Sequence, residues 1–401
     1  MTDLAVVGLG LIGSAALRHA AADATVLGIG PAEPTDWANH EGPFASHYDS
    51  GRITRGIDAR REWATLALRS IDQYRVIEQA SGIGFHRPTG VVFVRNDLDG
   101  IERVTDVARH LGLDATVGLA SDELEDQPQL SFPAGWTSIR EPAPAGAIDP
   151  RAMLTAQLAA ASKAGATIVS DAVVSIRPGR SGFELLTAGG QTHQAREVLI
   201  SAGAYSGRFF SQPLAMVVRP EAIVMGEVSP EQAESLAAMP SILYLIDHPT
   251  FDDVYVVPPA LYPDGKWYVK IGGSRRSVPT LVDDAAMDHW MRSSDALDEI
   301  PALRDVLTGV LTGIDFLSWH AKPCLITDTA SGLPYVDRVD DAMTVAFGGN
   351  GHAAKSADAI GALGAALALG GGAWPDDELP PATFSARFGT YKPPAGSRHG
   401  T

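Results

Sequence analysis

Short apolar runs alternate with amphipathic stretches at the start of the chain. An apolar run over residues 4–7 precedes the segment GLGLIG, a helical pattern in SAALRHAAAD, and a second apolar run over 25–29. This order of strand, glycine turn, helix and strand predicts the opening of a βαβ unit. From Trp63 to Ile77, apolar residues recur at steps of three and four, which predicts a helix with one buried face.

The pattern changes along the middle of the chain. Asp149 and Pro150 are typical of a helix cap and first helical position, and Gly189-Gly190 marks a hairpin turn. Over residues 216–318 the strand candidates AIVMGEV, DVYVVP and KWYVKIGG are separated by loops. They predict a mostly antiparallel sheet inserted into the α/β unit.

A second strand, glycine turn and helix follow in MTVAFGGNGHAAKSADAIGALGAAL. We therefore predict an α/β fold with a discontinuous, Rossmann-type dinucleotide-binding domain and an inserted substrate domain, a mostly antiparallel β-sheet that carries helices. The dinucleotide-binding domain is expected to comprise residues 1–85, 143–215 and 320–386. The substrate domain is expected to comprise residues 86–142 and 216–319, and a flexible tail residues 387–401.

Composition and charge narrow the function classes. The 401 residues include 45% hydrophobic and 20% charged residues, and the formal net charge is −17. This acidity disfavours nucleic acid or an anionic membrane as a partner. The start lacks a secretory pattern, and the apolar stretch Ala357–Trp374 contains Asp358, so we predict a packed helix there. With one cysteine, no disulfide framework or metal site is predicted, and a cytoplasmic location is expected.

The first glycine turn carries candidate chemistry. Gly8, Gly10 and Gly13 satisfy GxGxxG directly between a strand and a helix. Glycines at these positions permit a tight turn, close approach to a pyrophosphate, and helix packing on the strand. Leu11 and Ile12 begin the helix, whose free N–H groups attract phosphate. The alternative is a glycine-rich turn without a ligand.

An acidic residue that commonly binds the ribose is missing at the end of the second strand. The sequence there is VLGIGPAEP, with Gly30 or Pro31 at the expected place and Glu33 slightly downstream. Two alternatives therefore remain: either Glu33 binds the ribose, or no acidic residue does.

Five separated segments together resemble one enzyme family. They are GLGLIG, SHYDSGRITR, WYVKIGG, KPCLIT and GGNGHAAK. In this order they resemble the flavin amine oxidases typified by monomeric sarcosine oxidase, N-methyltryptophan oxidase and the fructosyl amino acid oxidases. The resemblance covers nearly the whole chain and implies that the dinucleotide is FAD.

The lone cysteine has a role in this family. Cys324 matches the position at which a sulfur is joined to the 8α-methyl carbon of the flavin. A thiolate is the attacking form, and nearby positive charge favours it, so Lys322 is expected to help. Without the resemblance, a buried cysteine acting as a small apolar residue is the better interpretation.

The RITR segment is predicted to be a loop leading to the helix at Trp63. By resemblance, Arg52 lies beside the flavin and Arg55 binds a substrate carboxylate, for which the planar guanidinium is suited. Ser46 and His47 match other flavin-side positions. The alternative for the two arginines is a solvated pair.

GGNGHAAK is expected to bring a helix N-terminus to the flavin ring. Such a dipole favours the negative charge of a reduced flavin. The resemblance places Gly349, Asn350, Gly351 and His352 at the cofactor, and Lys355 at both the cofactor and the substrate carboxylate. A cation in the first helical turn is unfavourable by itself, which points to a compensating anion.

Two further residues match catalytic positions of the family. Lys270 matches a lysine that promotes the reaction with oxygen, and Tyr255 matches an active-site tyrosine. Without the resemblance, Lys270 is an edge-strand charge and Tyr255 a core residue. Ser274 and Ile326 replace a histidine and an aromatic residue of sarcosine-type enzymes, which implies a different amine.

The implied reaction is oxidation of a secondary amine or N-alkyl amino acid. Hydride passes to flavin N5, water hydrolyses the imine, and oxygen becomes hydrogen peroxide. The expected partners are a small amine or amino acid carrying a carboxylate and molecular oxygen, and the expected state is a monomer. The alternatives are a flavin dehydrogenase with another acceptor, a redox-silent flavoprotein, and an NAD dehydrogenase.

Overall fold

The computed structural model describes residues 1–122 and 127–392. The strands are β1 Thr2–Val7, β2 Val26–Ile29, β3 Arg52–Thr54, β4 His86–Arg87, β5 Val91–Arg95, β6 Thr116–Leu119, β7 Thr137–Glu141, β8 Gly146–Ile148, β9 Thr167–Val169, β10 Val173–Gly179, β11 Gly182–Thr187, β12 Thr192–Ile200, β13 Met216–Val228, β14 Ser241–Leu245, β15 Phe251–Leu261, β16 Trp267–Arg275, β17 Ser318–Thr329, β18 Tyr335–Asp340 and β19 Met343–Phe347.

The helices are α1 Leu11–Ala20, α2 Arg61–Ser81, α3 Leu98–His110, α4 Pro150–Lys163, α5 Pro230–Ser235, α6 Asp284–Arg292, α7 Ile300–Val310, α8 Ala353–Leu369 and α9 Pro381–Phe384. Short 3-10 segments lie at Ala120–Asp122, Gly203–Phe209 and Asp295–Glu299. Of the tail expected over 387–401, residues 393–401 lie outside the described residues.

The first sheet has a parallel centre. Strands β19, β12, β1, β2 and β9 run parallel in that order, and β10, β11 and β18 add antiparallel pairs. In β1, Val7 lies opposite Ile200 of β12 and Ile29 of β2. Residues 4–7 are buried, as expected for a strand covered by helices on a parallel sheet. The predicted strand–turn–helix–strand order at the start is confirmed.

Helices α1, α2, α4 and α8 pack together beside this sheet. Asp149 caps α4 by accepting a hydrogen bond from the Ala152 N–H, as the sequence predicted. The helix predicted over Ala357–Trp374 is α8, which begins and ends earlier. Within residues 1–122 and 127–392, no helix combines the length and apolar character that a membrane crossing needs.

The second sheet has the order β17-β13-β16-β15-β14-β5-β7-β6. Within the described residues, its neighbouring strands pair antiparallel, except for the parallel pair of β5 and β14. The mostly antiparallel sheet predicted from the middle of the chain is thus confirmed. Strand β17, which carries Cys324, pairs with β13 in this sheet. The division of the chain into domains stays a prediction.

The loop predicted for the RITR segment is wrong. Arg52–Thr54 forms strand β3, which pairs antiparallel with β8, and β8 also pairs with β4. The segment is too short to show a period of two, so its extended state depends on a partner almost a hundred residues later. Pairing with β8 fixes the backbone that carries Arg52 and Arg55.

Close contact between α1 and α8 at Gly361 generates a stability prediction. A Cβ at Gly361 would lie 2.6 Å from the Ala16 N and 2.7 Å from the Ile12 O, and these backbone atoms have little freedom to move. Gly361→Ala should therefore lower stability by about 1–2 kcal/mol, because overpacking exceeds the helix-propensity gain of about 1 kcal/mol. Thermal unfolding measures the effect.

Gly309 in α7 provides the matched control. A Cβ there would meet no atom within 4 Å, so Gly309→Ala should leave the melting temperature unchanged or raise it. Equal melting temperatures for the two variants would contradict the proposed close packing.

Candidate functional site

A single cavity brings together segments of both large sheets. Its wall includes the glycine turn after β1, the turn before α8, and side chains from β13, β15, β16 and β17. The carboxyl end of a parallel sheet is the usual ligand site in α/β folds. The second sheet closes this site from the other side.

The glycine turn forms an open cradle. Gly8 has φ +93°, and a Cβ there would lie 2.6 Å from the Ser201 O. A Cβ at Gly13 would overlap the Gly8 carbonyl, whereas a Cβ at Gly10 would meet nothing within 4 Å. Gly10 and the following Leu11 and Ile12 line the cavity. Close packing at the first and third glycines and space at the second fit a bound pyrophosphate.

The acidic residue near the second strand has a protein partner. Glu33 accepts hydrogen bonds from Arg151 Nε at 2.7 Å and Nη2 at 2.6 Å. Pro31, at the expected ribose-binding position, lines the cavity. The bidentate ion pair commits both oxygens of Glu33 to Arg151.

Cys324 lies at the cavity wall and is 3% exposed. Arg52 Nη2 is 3.5 Å from its Sγ and donates at 3.0 Å to the Ser46 carbonyl oxygen, while Ser46 Oγ donates to the Leu325 O. Burial raises the pKa of the Cys324 thiol, and the Arg52 charge opposes this. The expected helper Lys322 instead has its amine 5.8–5.9 Å from the centres of two aromatic rings.

Lys270 is buried with a fixed counter-ion that the sequence analysis missed. Its Nζ donates to Asp49 Oδ2 at 2.6 Å and to the Gly51 carbonyl. Asp49 also pairs with Arg52 Nε at 3.1 Å and accepts from Tyr262 Oη at 2.6 Å. Burial would raise the pKa of Asp49, but Lys270 and Arg52 hold it below its usual range. Burial lowers the pKa of Lys270 to about 8 despite Asp49.

A second buried carboxylate, Asp58, was also missed. Its Oδ2 lies 3.0 Å from Arg55 Nη1, 2.8 Å from Lys355 Nζ and 3.1 Å from His352 Nδ1. Burial would raise the pKa of Asp58, but Lys355 and Arg55 hold it well below its usual range. Burial and Arg55 lower the pKa of Lys355 to about 8. The anion expected beside Lys355 is therefore present within the chain.

Glu141, at the end of β7, supports the same region. Its Oε1 and Oε2 accept from the Gly56 N–H at 2.8 and 3.0 Å, and its Oε2 accepts from the Ile57 N–H at 2.9 Å. Arg55 Nη1 in turn donates to the Ile57 carbonyl. This carboxylate holds the backbone that connects Arg55 to Asp58.

Two buried polar atoms at the cavity have no hydrogen-bond partner among the described residues. They are Nδ1 of His47 and Oη of Tyr255. Burial lowers the pKa of His47 to about 3, so its ring is neutral near pH 7. The Tyr255 ring lies over Gly272, where a Cβ would be 2.5 Å from its Cζ, and over Lys270 Nζ at 5.3 Å. Such unpaired atoms fit a site that a ligand completes.

The turn before α8 is fastened to β17. Asn350 has φ +48°, donates its N–H to the Thr327 O at 2.9 Å, and accepts from the Thr329 N–H at 2.8 Å through Oδ1. Gly349, Gly351 and His352 line the cavity with it. The side chain of Asn350 therefore holds the turn in place, and the exposed backbone of the turn faces the cavity.

Ser274 and Ile326, the two residues that differ from those of sarcosine-type enzymes, both line the cavity. A further carboxyl group, Glu221, lines it too and lies opposite Cys324 in the pairing of β13 with β17. Burial raises the pKa of Glu221 to about 7, while Arg52 opposes this. The sequence offered no signal for Glu221, because its position depends on the pairing register.

Comparison with known proteins agrees with this arrangement. The family described as FAD dependent oxidoreductase matches residues 3–367. The chain is 27% identical over 385 residues to a monomeric sarcosine oxidase from Streptomyces avermitilis, covering 92% of this chain and 94% of that protein.

Two solved structures share the fold. NikD, described as an unusual amino acid oxidase essential for nikkomycin biosynthesis, has a TM-score of 0.74 and 18% identity, covering 96% of this chain and 98% of that one. Glycine oxidase from Geobacillus kaustophilus has a TM-score of 0.71 and 19% identity, with coverage of 96% and 98%. The predicted fold class and the resemblance to this enzyme group are confirmed.

The Asp49 ion pairs generate a prediction about stability. Asp49→Asn should lower the free energy of unfolding by about 3–5 kcal/mol, because Lys270 and Arg52 would lose their buried counter-charge. Chemical denaturation of the purified variant measures the loss. Asp106→Asn is the control, since Asp106 pairs with Arg109 on the surface with 57% of its side chain exposed. That change should cost at most about 1 kcal/mol; equal losses would contradict the assigned burial.

Proposed function

This chain belongs to the family of FAD-dependent oxidoreductases, and from that premise we propose that it oxidises a small amine and reduces molecular oxygen to hydrogen peroxide. The observation that carries the proposal is the single cavity in which the glycine turn of the first sheet meets Cys324 and Tyr255 of the second. The likeness to a monomeric sarcosine oxidase along most of both chains supports the amine as substrate. We assign the glycine turn of the first sheet and Cys324 of the second sheet to the cofactor, and Tyr255 of the second sheet to the substrate.

The cavity has the features that FAD needs. The turn at Gly8, Gly10 and Gly13 is suited to the pyrophosphate, with the α1 N-terminus directed at its negative charge. The α1 N-cap has no side-chain hydrogen bond that would compete for these N–H groups. His47 and the turn before α8 are suited to the ring system. Bound FAD would supply the acceptor for the hydride and the donor of electrons to oxygen.

We propose Cys324 as the attachment atom for the flavin. Its Sγ lies at the cavity wall, and the guanidinium of Arg52 is the nearby positive charge that favours thiolate. Arg52 is itself fixed by the Ser46 carbonyl and by Asp49. This geometry gives Arg52 the role that the sequence analysis offered to Lys322.

The chain's own residues then position the amine. An amine must lose its proton before its lone pair can assist hydride loss, and burial in the cavity disfavours the charged ammonium form. Tyr255 Oη is a free hydrogen-bonding group in the wall, suited to orienting the substrate. Lys270, beneath the Tyr255 ring, is assigned to stabilise negative charge as oxygen is reduced.

One observation favours a second candidate, a dehydrogenase that uses a non-oxygen acceptor. Lys270 is held by Asp49 and by the Gly51 carbonyl, so its positive charge is already compensated inside the protein. A compensated cation assists oxygen reduction less than an uncompensated one. The two candidates share the amine substrate and differ only in the acceptor.

An anaerobic amine panel tests the proposed function. Secondary, primary and cyclic amines should bleach the flavin absorbance, and air should restore it with formation of peroxide. Bleaching without restoration in air would select the dehydrogenase. A flavin that no amine bleaches would remove the enzyme proposal altogether.

The same stopped-flow measurement examines Lys270. Lys270→Met should slow reoxidation in air by tenfold or more while flavin reduction changes much less, because only the oxygen step develops charge at this position. Equal slowing of the two half-reactions would contradict the assignment.

Attachment through Cys324 is tested by colour. Acid-precipitated wild-type protein should remain yellow, whereas precipitated Cys324→Ser protein should be colourless, with its flavin in the supernatant. The serine variant conserves size and so controls for loss of packing. A colourless wild-type pellet would contradict covalent attachment of the flavin through Cys324, but it would not contradict the proposed oxidation of an amine.

A further inference from the structure

The two cations expected to bind a substrate carboxylate already share a carboxylate of this chain. Arg55 and Lys355 line the cavity, while Asp58 lies beneath them and is 5% exposed. Asp58 Oδ2 lies 3.0 Å from Arg55 Nη1 and 2.8 Å from Lys355 Nζ. This is the arrangement that a bound substrate carboxylate would make with the same two side chains.

Asp58 is held in place from every side. His352 Nδ1 lies 3.1 Å from Oδ2, and the Arg60 N–H donates to Oδ1 at 3.1 Å. Both oxygens therefore have partners, and one of them has three. Moving Asp58 away to admit a second carboxylate would break all four contacts.

Charge balance points the same way. Glu141, 4% exposed, accepts from the backbone directly after Arg55, and its charge acts on Arg55 and Lys355. Burial raises the pKa of Glu141, while Arg55 and Lys355 favour its ionised form; once ionised, Glu141 and Asp58 together offset the two cations. A further anion would thus enter a region without net positive charge, where it recovers less of its lost hydration.

We propose that Asp58 takes the place of a substrate carboxylate, so that the enzyme acts on amines without an acid group at this end of the cavity. This inference rests on the proposed function and narrows its substrate class. It replaces the expectation, drawn from resemblance, that Arg55 and Lys355 bind the substrate's acid group.

Part of the cavity wall suits an uncharged group. Ile53, Leu243 and Ile326 bring apolar surface to the same cavity. Ile326 stands where sarcosine-type enzymes have an aromatic residue, and apolar side chains suit a neutral alkyl or amide group. The rival interpretation is that Asp58 only orients the cations, which then bind a substrate carboxylate from the cavity side.

The two interpretations predict opposite effects of Asp58→Asn. If Asp58 takes the place of a substrate carboxylate, removing its negative charge leaves Arg55 and Lys355 without this counter-ion, and an external anion should bind them more tightly. If it orients the cations, its removal weakens anion binding. The asparagine conserves shape, so the sign of the change reports the lost charge.

Propionate and propionamide are suitable probes because they match in size and have no oxidisable amine. Their dissociation constants are measured on oxidised holoenzyme from the change in flavin absorbance. Wild-type protein should bind propionamide at least as tightly as propionate. Asp58→Asn should bind propionate at least tenfold more tightly than wild type, or about 1.4 kcal/mol, with propionamide unchanged. In wild-type protein, kcat/KM for the carboxamide of N-methylglycine should be at least as high as kcat/KM for N-methylglycine itself.

The proposal is overturned if wild type binds propionate more tightly than propionamide, or if Asp58→Asn fails to tighten propionate binding. Asp358→Asn is the control, because Asp358 is a buried, ion-paired carboxylate of α8 that contacts Arg18 instead. If Asp58→Asn fails to fold, the wild-type comparison still decides. The propionate and propionamide titrations need bound flavin but no turnover. They therefore test this inference even if no amine in the panel bleaches the flavin.

Discussion

Compensation of buried cations by two aspartates is the constraint on which the site depends. Lys270 and Arg52 share Asp49, and Arg55 and Lys355 share Asp58. A buried ammonium or guanidinium without such a partner is strongly unfavourable. These carboxylates therefore permit Arg52, Arg55 and Lys355 to line one cavity, with Lys270 behind the Tyr255 ring, in a chain whose net charge is −17.

Four of the six residues in these ion pairs are regularly spaced in the sequence. Asp49, Arg52, Arg55 and Asp58 follow one another at intervals of three residues. Only Arg52–Thr54 forms a strand, so this spacing does not reflect a helix. The spacing is explained by the fold, in which Lys270 pairs with Asp49 and Lys355 pairs with Asp58, although both lysines are distant in the sequence.

Sequence reasoning succeeded where the signal was local. The glycine turn, the cap at Asp149 and the hairpin at Gly190 depend on neighbouring residues, and the structure confirms all three. Strand β3 and the position of Glu221 depend on pairing with remote strands, so the local pattern did not contain them. Resemblance identified the cations, but it gave no role to Asp58.

The charge balance also bears on how a substrate is selected. Burial lowers the pKa of Lys270 and Lys355 to about 8, and Asp49 and Asp58 oppose this lowering, so both lysines are mainly charged near neutral pH. An ammonium substrate meets cations that are already paired, and its repulsion by the wall is weakened accordingly. Selection then depends more on the shape and polarity of the wall, to which Tyr255 and Ile326 contribute, than on a long-range field.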